Sequence, residues 1–370
     1  MRAAFFSDAK YVGAFEWMQY LAKQEDFDVH AIVFPGHERE IGGVTVHTLP
    51  GWHPASKLRY LSCVPALKRT LRRLHPDLLI GYRIVSYGFS AAMSGFHPLV
   101  LAAQGMYIAS RAHTSLTRGF ARRALRSADL LHSWAPIMTA NMVALGADPA
   151  RILTLTRGVD DTALVPGDEP PAPLTLVTTR QLEPYYNYPT LLRALLDVRR
   201  ELGEVRYLVA GEGSLRGELE ALVARMGLGD TVSFLGRVEK SDLLALLRRA
   251  HLYVAAVPSD GTSSSMLEAM AAGVLPIVAD NESNRHWLRD GEGGWLVPAF
   301  DAGAYAQAIL RAWADPAWRA RAREVNRGVV ESRASWSRNM ASFVQAYRNL
   351  VLGAPPPSPG PCLDNPRKPL

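Results

Sequence analysis

Residues 254–280 constrain the fold of this chain more than any other stretch. An apolar run over residues 252–257 has the length and composition of a buried parallel strand. The residues PSDG break this run, and small hydroxyl residues that can cap a helix follow. A helix is predicted over residues 266–272, and LPIVA is the next predicted strand. The stretch is therefore a β–α–β unit, the building block of parallel sheets that are covered by helices.

The loop between the first strand and the helix has the chemistry of an anion site. A helix N-terminus offers free N–H groups and the positive end of the helix dipole, and the small residues at 261–264 leave it accessible. Two carboxylates, Asp260 and Glu268, flank the same place. Phosphate on amides and sugar hydroxyls on carboxylates would suit a nucleotide-sugar. The alternative is an ordinary β–α–β unit whose serines only cap a helix.

The alternation of apolar runs and helix-like stretches extends through the chain and predicts an α/β protein with parallel sheets. One basic helix is expected over residues 56–74. The segment TRGVDDTALVPG, followed by DEPPAP, has the composition of a linker, after which the alternation restarts. We expect two doubly wound, Rossmann-like domains that face each other across a ligand cleft. The domains are 1–165 and 166–334, and a Pro-rich tail, 353–370, is expected to be disordered.

Composition excludes several classes of protein. Hydrophobic residues make up 48% of the chain and charged residues 21%, as in soluble globular proteins. No apolar run reaches the roughly 18–20 residues of a membrane span, and MRAAFFSD lacks the apolar core of a signal peptide, which predicts a cytoplasmic protein. Cys63 and Cys362 are far apart and form no disulfide framework. The histidines show no metal-ligand spacing, so no metal is expected.

The net charge of +6 is concentrated in one region. Residues 57–126 contain twelve Lys or Arg against one acid, Asp77. Such a face suits an anionic membrane surface or an acidic acceptor, and it predicts peripheral contact with the inner face of the membrane. The alternative is a set of solvated, arginine-rich helices. Nucleic-acid motifs and interleaved stacking aromatics are missing, so nucleic acid is not an expected partner.

Residues 254–280 resemble the donor-site motif of the retaining glycosyltransferases of family 4, the glycosyl transferases group 1, which have the GT-B fold. The family carries two glutamates separated by seven residues, the second inside a LEAMA run. Here the pattern reads Asp260, seven residues, then Glu268 within LEAMAAGVLP, so the first acid is one methylene shorter. The resemblance covers nearly the whole chain and is strongest over residues 174–297. It implies that a last helix, 335–352, crosses back onto the first domain.

The resemblance assigns the diphosphate of the donor to Arg180, whose fork can clamp two phosphates. Many members of the family carry Lys-Gly a few residues later, where this chain has Tyr185, Tyr186 and Asn187. Either Tyr and Asn donate neutral hydrogen bonds to the phosphates, or the leaving group is stabilised less strongly. Glu268 is assigned to the ribose hydroxyls, and Asp260 with the loop that follows it to the sugar and the phosphate.

Other substrate contacts implied by the resemblance come from loops at strand ends. Gly13 and Gly211 would let backbone approach the donor, and the segment 236–238 would contact the base. Tyr82, Arg83 and Gln104 lie on the acceptor-side turns. The implied substrate-binding residues are Gly13, Gln104, Tyr186, Asn187, Gly211, Gly236, Arg237, Val238, Gly261, Thr262, Ser263 and Ser264.

The implied function is retaining transfer of a hexose from a nucleotide-diphosphate sugar to a hydroxyl, in polysaccharide or glycoconjugate biosynthesis. A UDP-sugar is the first candidate donor and GDP-mannose the second; the acceptor is a saccharide, a lipid-linked sugar or a small metabolite. No metal or other cofactor is expected. Inverting transfer needs a general base, and none is evident, which fits a retaining enzyme. The alternatives are a nucleotide-sugar epimerase with the same fold and a non-catalytic nucleotide-sugar-binding subunit of a glycosylation complex.

Overall fold

The computed structural model describes residues 1–50, 58–103, 115–164 and 168–354. These residues form two compact units. The first comprises Met1–Thr156 and the chain from Arg338 through the last helix, and the second comprises Arg157–Ser337. Each unit is built on one parallel sheet, which confirms the predicted α/β class. The expected domain boundary at 165–166 and nearly all of the tail 353–370 lie outside the described residues.

The first unit is built on a seven-stranded sheet. Its strands are β1 (Arg2–Phe6), β2 (Asp28–Val33), β3 (Val44–Thr48), β4 (Leu78–Tyr82), β5 (Leu99–Ala102), β6 (Leu130–Ser133) and β7 (Ile152–Thr154). Their order across the sheet is β3-β2-β1-β4-β5-β6-β7. Every residue of β4 and β5 is buried, as expected of central parallel strands covered on both faces. The order reverses between β1 and β4, which is the topological switch point of this sheet.

The helices of the first unit are α1 (Val12–Ala22), α2 (Arg59–Ser62), α3 (Val64–Leu74), α4 (Gly88–Ser94), α5 (Ser115–Ser127) and α6 (Pro136–Ala144). The prediction of one helix over 56–74 is wrong in its described part, because the helix is interrupted at Cys63, which separates α2 from α3. Pro65 lies in the first turn of α3 and has no N–H to continue the preceding helix. A π-helical turn, Arg83–Tyr87, leads into α4.

The second unit is built on a six-stranded sheet. Its strands are β8 (Leu174–Thr178), β9 (Val205–Ala210), β10 (Val232–Gly236), β11 (Leu252–Ala255), β12 (Leu275–Ala279) and β13 (Trp295–Val297). Their order is β10-β9-β8-β11-β12-β13, so the switch point lies between β8 and β11. The predicted strand LPIVA is β12.

The helices that follow in the chain are α7 (Tyr188–Leu202), α8 (Arg216–Arg225), α9 (Lys240–Leu247), α10 (Ser264–Ala271), α11 (Glu282–Trp287), α12 (Ala302–Ala314), α13 (Pro316–Arg333) and α14 (Trp336–Val351). Helix α10 begins two residues before its predicted start, and α11 was not predicted. The part of α14 that belongs to the first unit packs on α1, where Trp17 lies 5.8 Å from Phe343 and 5.9 Å from Tyr347 between ring centroids. Within the described ranges, no helix is long and apolar enough to cross a bilayer.

Candidate functional site

The residues that follow β8 and β11 form the centre of the candidate site. The two strands are parallel neighbours, with Tyr253 paired to Val177, so both leave the sheet at the same edge. Arg180 follows β8, and Asp260 follows β11. The carboxyl ends of strands at a switch point are where open α/β sheets bind ligands.

Arg180 and Asp260 form an ion pair at this edge. Arg180 Nη2 lies 2.6 Å from Asp260 Oδ2, and the two side chains are only 14% and 19% exposed. The same nitrogen donates to the hydroxyl of Ser263. Burial opposes the charged form of Arg180, but Tyr253 and Asp260 more than offset it, so the pKa of Arg180 is raised. The guanidinium is therefore held in place as a permanent cation.

The contacts with Asp260 and Ser263 do not use all the donors of Arg180. Its Nε–H is buried and has no hydrogen-bond partner among the described residues. The backbone of Arg180 is held as well, because the hydroxyl of Tyr188 donates to its carbonyl oxygen at 2.7 Å. A guanidinium held in place as a permanent cation is suited to a diphosphate, whose oxygens accept several hydrogen bonds at once.

Both oxygens of Asp260 are engaged with the protein. Oδ2 faces Arg180, and Oδ1 accepts a hydrogen bond from Gly261 N at 2.8 Å. The carbonyl of Gly261 in turn accepts from the hydroxyl of Ser283 at 3.0 Å. The loop after β11 is thus fixed at both ends before any ligand binds.

Helix α10 begins directly after this loop and has no side-chain cap. The N-cap residue, Ser263, makes no capping hydrogen bond, since its hydroxyl accepts from Arg180 instead. The positive end of the helix therefore lies next to the Arg180 guanidinium. Ser264 is exposed and Thr262 half-buried. Glu268, one turn after Ser264 on the same helix, is half-buried and has a polar partner within the protein.

Gly211 and Gly213 are required by the packing of the protein itself. A Cβ on Gly211 would overlap the carbonyl oxygen of Arg180, and a Cβ on Gly213 would overlap that of Leu182. Leu182 N also donates to the carbonyl of Glu212 at 3.0 Å. The glycine turn after β9 therefore supports the backbone that carries Arg180. This requirement for glycine exists without any nucleotide and was not predicted from the sequence.

The segment 185–187, where the family usually has Lys-Gly, makes several contacts with the protein. The hydroxyl of Tyr185 donates to a backbone carbonyl of the loop after β11. The ring of Tyr186 lies 5.7 Å from the guanidinium carbon of Arg180. Asn187 adopts a left-handed φ of 49° and donates to a backbone carbonyl of the loop after β13 at 2.7 Å. One amide N–H of Asn187 is thus used inside the protein, which leaves at most the other for a phosphate.

The remaining residues predicted for the site lie on other elements of the chain. Gly236 ends β10 with a φ of 72°. Arg237 is exposed and lies 3.6 Å from a glutamate two residues later, while Val238 is half-buried. Gly13 lies in the first turn of α1, in the first unit. Gln104 lies outside the described residues.

Two side chains that hold the loop after β11 were not identified from the sequence. Asn281 donates to Val257 O at 3.0 Å and caps α11 by accepting from Asn284 N at 2.9 Å. Ser283, on the same helix, donates to Gly261. Because α11 has only six residues, it shows no periodicity, and the N-cap asparagine was its only signal in the sequence.

The switch point of the first sheet carries different chemistry. His37 Nδ1 lies 3.0 Å from Asp8 Oδ2 and 2.9 Å from the hydroxyl of Tyr87. Arg83, at the end of β4, has a φ of 72°, and its guanidinium carbon lies 4.1 Å from the centre of the Tyr11 ring. Arg83 was expected on an acceptor-side turn, but the Asp8–His37 pair was not foreseen, since these residues are brought together only by the fold.

Among the described residues, no group of three or more His, Cys, Asp or Glu side chains is arranged to hold a metal ion. The Arg180 cation and the N-terminus of α10 are the positive features of the candidate site in the second unit.

Two family models match most of the chain. The model described as "Glycosyl transferases group 1" matches residues 165–329, which include the whole candidate site of the second unit. The model described as "Glycosyl transferase 4-like" matches residues 2–134 of the first unit.

Curated relatives are similar over part of their length. A phosphatidyl-myo-inositol mannosyltransferase of Mycobacterium leprae is 34% identical over 189 residues, which are 49% of this chain and 47% of the relative. A D-inositol 3-phosphate glycosyltransferase of Catenulispora acidiphila is 29% identical over 226 residues, which are 56% of this chain and 52% of the relative. The chain thus spans about half the length of these relatives.

Solved structures share the fold over nearly the whole chain. A sucrose-phosphate synthase from Thermosynechococcus elongatus superposes with a TM-score of 0.76 at 18% identity, covering 96% of this chain and 100% of the other. HepE from Anabaena, in complex with UDP, superposes with a TM-score of 0.75 at 17% identity, covering 94% and 100%. The fold is therefore that of the GT-B proteins, and with both family models matched, the chain belongs to the glycosyl transferases group 1, family 4 of the glycosyltransferases.

Proposed function

We propose that the protein is a retaining glycosyltransferase that moves a hexose from a nucleotide-diphosphate sugar to a hydroxyl acceptor. The observation that carries this proposal is the cluster of Arg180, Asp260 and Ser263 at the switch point of the second sheet. It combines a fixed cation with a helix N-terminus at the edge where such sheets bind nucleotides. Membership of the family supports the reaction class.

In the proposed reaction Arg180 stabilises the leaving diphosphate. The bond between the anomeric carbon and the diphosphate oxygen breaks, and a bond from the same carbon to the acceptor oxygen forms on the same face. The acceptor proton passes to the diphosphate, so no protein base is needed. Arg180 is suited to this role because Asp260 and Ser263 orient it before charge develops on the leaving group.

The two carboxylates have separate proposed roles. Glu268 accepts hydrogen bonds from the ribose hydroxyls. Asp260 positions Arg180. Each of its carboxylate oxygens already has one protein contact, and the remaining lone pairs are proposed to accept hydrogen bonds from the sugar. The family usually has Glu at position 260. The shorter side chain of Asp260 suits a carboxylate that pairs with the neighbouring Arg180 guanidinium. Thr262 and Ser264, with the backbone of the loop, complete the proposed phosphate site, and Gly236, Arg237 and Val238 remain the proposed contacts of the base.

For the donor base we retain two candidates. UDP-sugars come first, supported by the likeness of fold to HepE, which was solved with UDP and with UDP-glucose. GDP-mannose comes second, supported by relatives that are named mannosyltransferases. No metal is part of the proposed mechanism, because the charge of the leaving group is assigned to Arg180 and the helix N-terminus.

The proposed acceptor is a saccharide, a lipid-linked sugar or a small metabolite. The basic region 57–126 supports an anionic or membrane-borne acceptor: in the described part of this region, the exposed face of α3 carries Lys68, Arg69, Arg72 and Arg73. We accordingly propose a cytoplasmic protein that contacts the inner membrane face peripherally. Gly13 remains a proposed contact of the donor phosphate, and Gln104 remains a proposed contact of the acceptor.

The test is calorimetric titration with UDP, GDP and ADP, and with their common sugars, in EDTA. We expect one diphosphate to bind with a Kd of the order of micromolar, and Arg180→Ala to weaken its binding. Arg225→Ala is the matched control, since it removes an exposed arginine of the same unit at the end of α8. Incubating the donor thus found with saccharide acceptors, and reading the anomeric configuration of the product by NMR, tests retention.

Each outcome is informative. An α-linked product from an α-linked donor supports retaining transfer, and a β-linked product contradicts it. Binding without turnover, with activity gained in Asp260→Glu, would favour the non-catalytic subunit. A new nucleotide-sugar epimer formed without acceptor would favour the epimerase. Absence of binding by every diphosphate would reject the proposed role of Arg180.

A further inference from the structure

A pocket of about 390 Å³ opens in the first unit between α3 and the turn that joins α4 to β5. Lys68, Arg72 and His75 form its polar wall, and its apolar wall includes Pro76 and Phe96. The volume falls in the range of sites for small organic molecules and exceeds what one inorganic ion needs. A ligand that fits this pocket combines an anionic group with an organic portion.

The side chains of Lys68 and Arg72 have no ion-pair partner among the described residues. Lys68 and Arg72 are four residues apart on α3, so they lie on the same face of the helix. Both side chains are exposed, and neither side chain makes an ion pair or hydrogen bond with another described residue. Residues 58–74 contain no Asp or Glu. In contrast, Arg348 on α14 pairs with both oxygens of a nearby aspartate, at 2.7 and 2.9 Å.

The pocket lies at the opposite edge of the sheet from the switch-point residues. His75 and Pro76 precede β4, with only Asp77 between them and the strand, and Phe96 lies three positions before the first residue of β5. The pocket is thus at the amino ends of these strands, whereas doubly wound sheets bind their principal ligand at the carboxyl ends. It is separate from the acceptor-side turn of Tyr82 and Arg83 at the end of β4, and its existence does not depend on the proposed transfer reaction.

We propose that this pocket binds a phosphate-bearing ligand, with the phosphate on Lys68, Arg72 and His75 and the organic portion on Phe96 and Pro76. Two cations and an imidazole supply enough donors for the oxygens of one phosphate. His75 adopts a left-handed φ of 45° at the end of α3, a conformation that His accepts more readily than most residues. The same chemistry is presented by a soluble phosphomonoester and by the headgroup of a phospholipid.

The experiment uses the full chain in two arms. In the first, glycerol 3-phosphate is titrated and binding is measured by calorimetry. In the second, the protein is sedimented with vesicles of phosphatidylcholine, with and without phosphatidic acid. The variant Lys68→Ala/Arg72→Ala is compared with Arg193→Ala/Arg225→Ala, which removes the same charge from exposed positions of α7 and α8 in the second unit. Alanine favours helix at all four positions, so both variants are expected to fold.

We expect wild-type binding in at least one arm, and about tenfold or greater loss in Lys68→Ala/Arg72→Ala only, as expected for removal of charge-assisted hydrogen bonds. Binding of glycerol 3-phosphate identifies a soluble ligand, and binding confined to phosphatidic acid vesicles identifies a lipid headgroup. His75→Asn, which tolerates the same backbone conformation, should also weaken binding. The proposal is overturned if neither probe binds, or if both double variants lose affinity equally, since a general charge effect would then suffice.

Discussion

The two sheets share one strand order around their switch points, yet the residues there differ in kind. At the second switch point a permanent cation, Arg180, is paired with Asp260. At the first, a histidine, His37, is paired with Asp8, and Arg83 lies over the ring of Tyr11. The pair at the first switch point contains an imidazole, whereas the pair at the second contains a guanidinium that stays positively charged.

This difference shows that the topology selects the place and the loops supply the chemistry. A fixed cation suits an anionic diphosphate that must be stabilised as it leaves. A histidine–aspartate pair suits a neutral hydroxyl that must be oriented. If this difference is functional, the second switch point binds the diphosphate of the donor and the first binds the acceptor hydroxyl.

The largest effect is expected for Arg180→Ala. Loss of the guanidinium should reduce kcat about 100- to 1,000-fold, the usual cost of removing one preorganised donor to a developing charge. Arg180→Lys should recover part of the activity, because Lys keeps the charge but not the fork. Steady-state kinetics with the identified donor provides the measurement. An unchanged kcat in Arg180→Ala would show that Arg180 does not stabilise the leaving diphosphate.

Glu268→Ala should weaken nucleotide binding about 10- to 100-fold, the worth of one or two hydrogen bonds to a charged acceptor. The nucleotide affinity of Glu268→Gln should lie between those of Glu268→Ala and the wild type, since glutamine keeps one acceptor oxygen. Calorimetry with the nucleoside diphosphate measures the effect, and Glu201→Ala, an exposed glutamate of α7, is the control. Equal affinity in Glu268→Ala and wild type would sink the ribose assignment.

Gly211→Ala should destabilise the second unit by about 1–3 kcal/mol, because the added Cβ overlaps the carbonyl oxygen of Arg180. Gly217→Ala is a matched control: nothing lies within 4 Å of its Cβ, and alanine favours helix over glycine by about 1 kcal/mol. Urea unfolding of both variants gives the comparison. If the free energy of unfolding fell equally in the two variants, the glycine turn would not support the Arg180 backbone.

The smallest effect is expected at the first switch point. His37→Ala should raise the acceptor KM by a factor of about 3 to 10, the worth of a neutral hydrogen bond, and leave the nucleotide Kd unchanged. His97→Ala, which also breaks a His–Asp pair of the first unit, should change neither constant. If His37→Ala weakened the nucleotide instead, the two switch points would not serve different substrates.

The fold was predictable because its signal is local and repeated. Apolar runs followed by helix-like stretches gave the β–α–β units, and LEAMAAGVLP marked α10 and β12. Arg180 was identified through the resemblance to the family. Its pairing with Asp260 was not, since neither periodicity nor spacing specifies contacts between residues 80 apart.

The unpredicted features have equally physical reasons. Helix α11 is too short to show a period. The carbonyl that would meet a Cβ at Gly211 belongs to another loop, so this need for glycine is visible only in three dimensions. The Asp8–His37 pair and the basic pocket likewise join residues from separate strands and helices.

Helix α14 belongs mostly to the first unit although it follows the whole second unit in the chain, and this inverts the usual order of folding during synthesis. N-terminal domains generally fold first on the ribosome. Here Phe343 and Tyr347, which pack against Trp17, emerge only after every strand of the second unit. The unit that is synthesised first is therefore completed last, and until then the nascent chain carries an exposed tryptophan face for which a chaperone could compete.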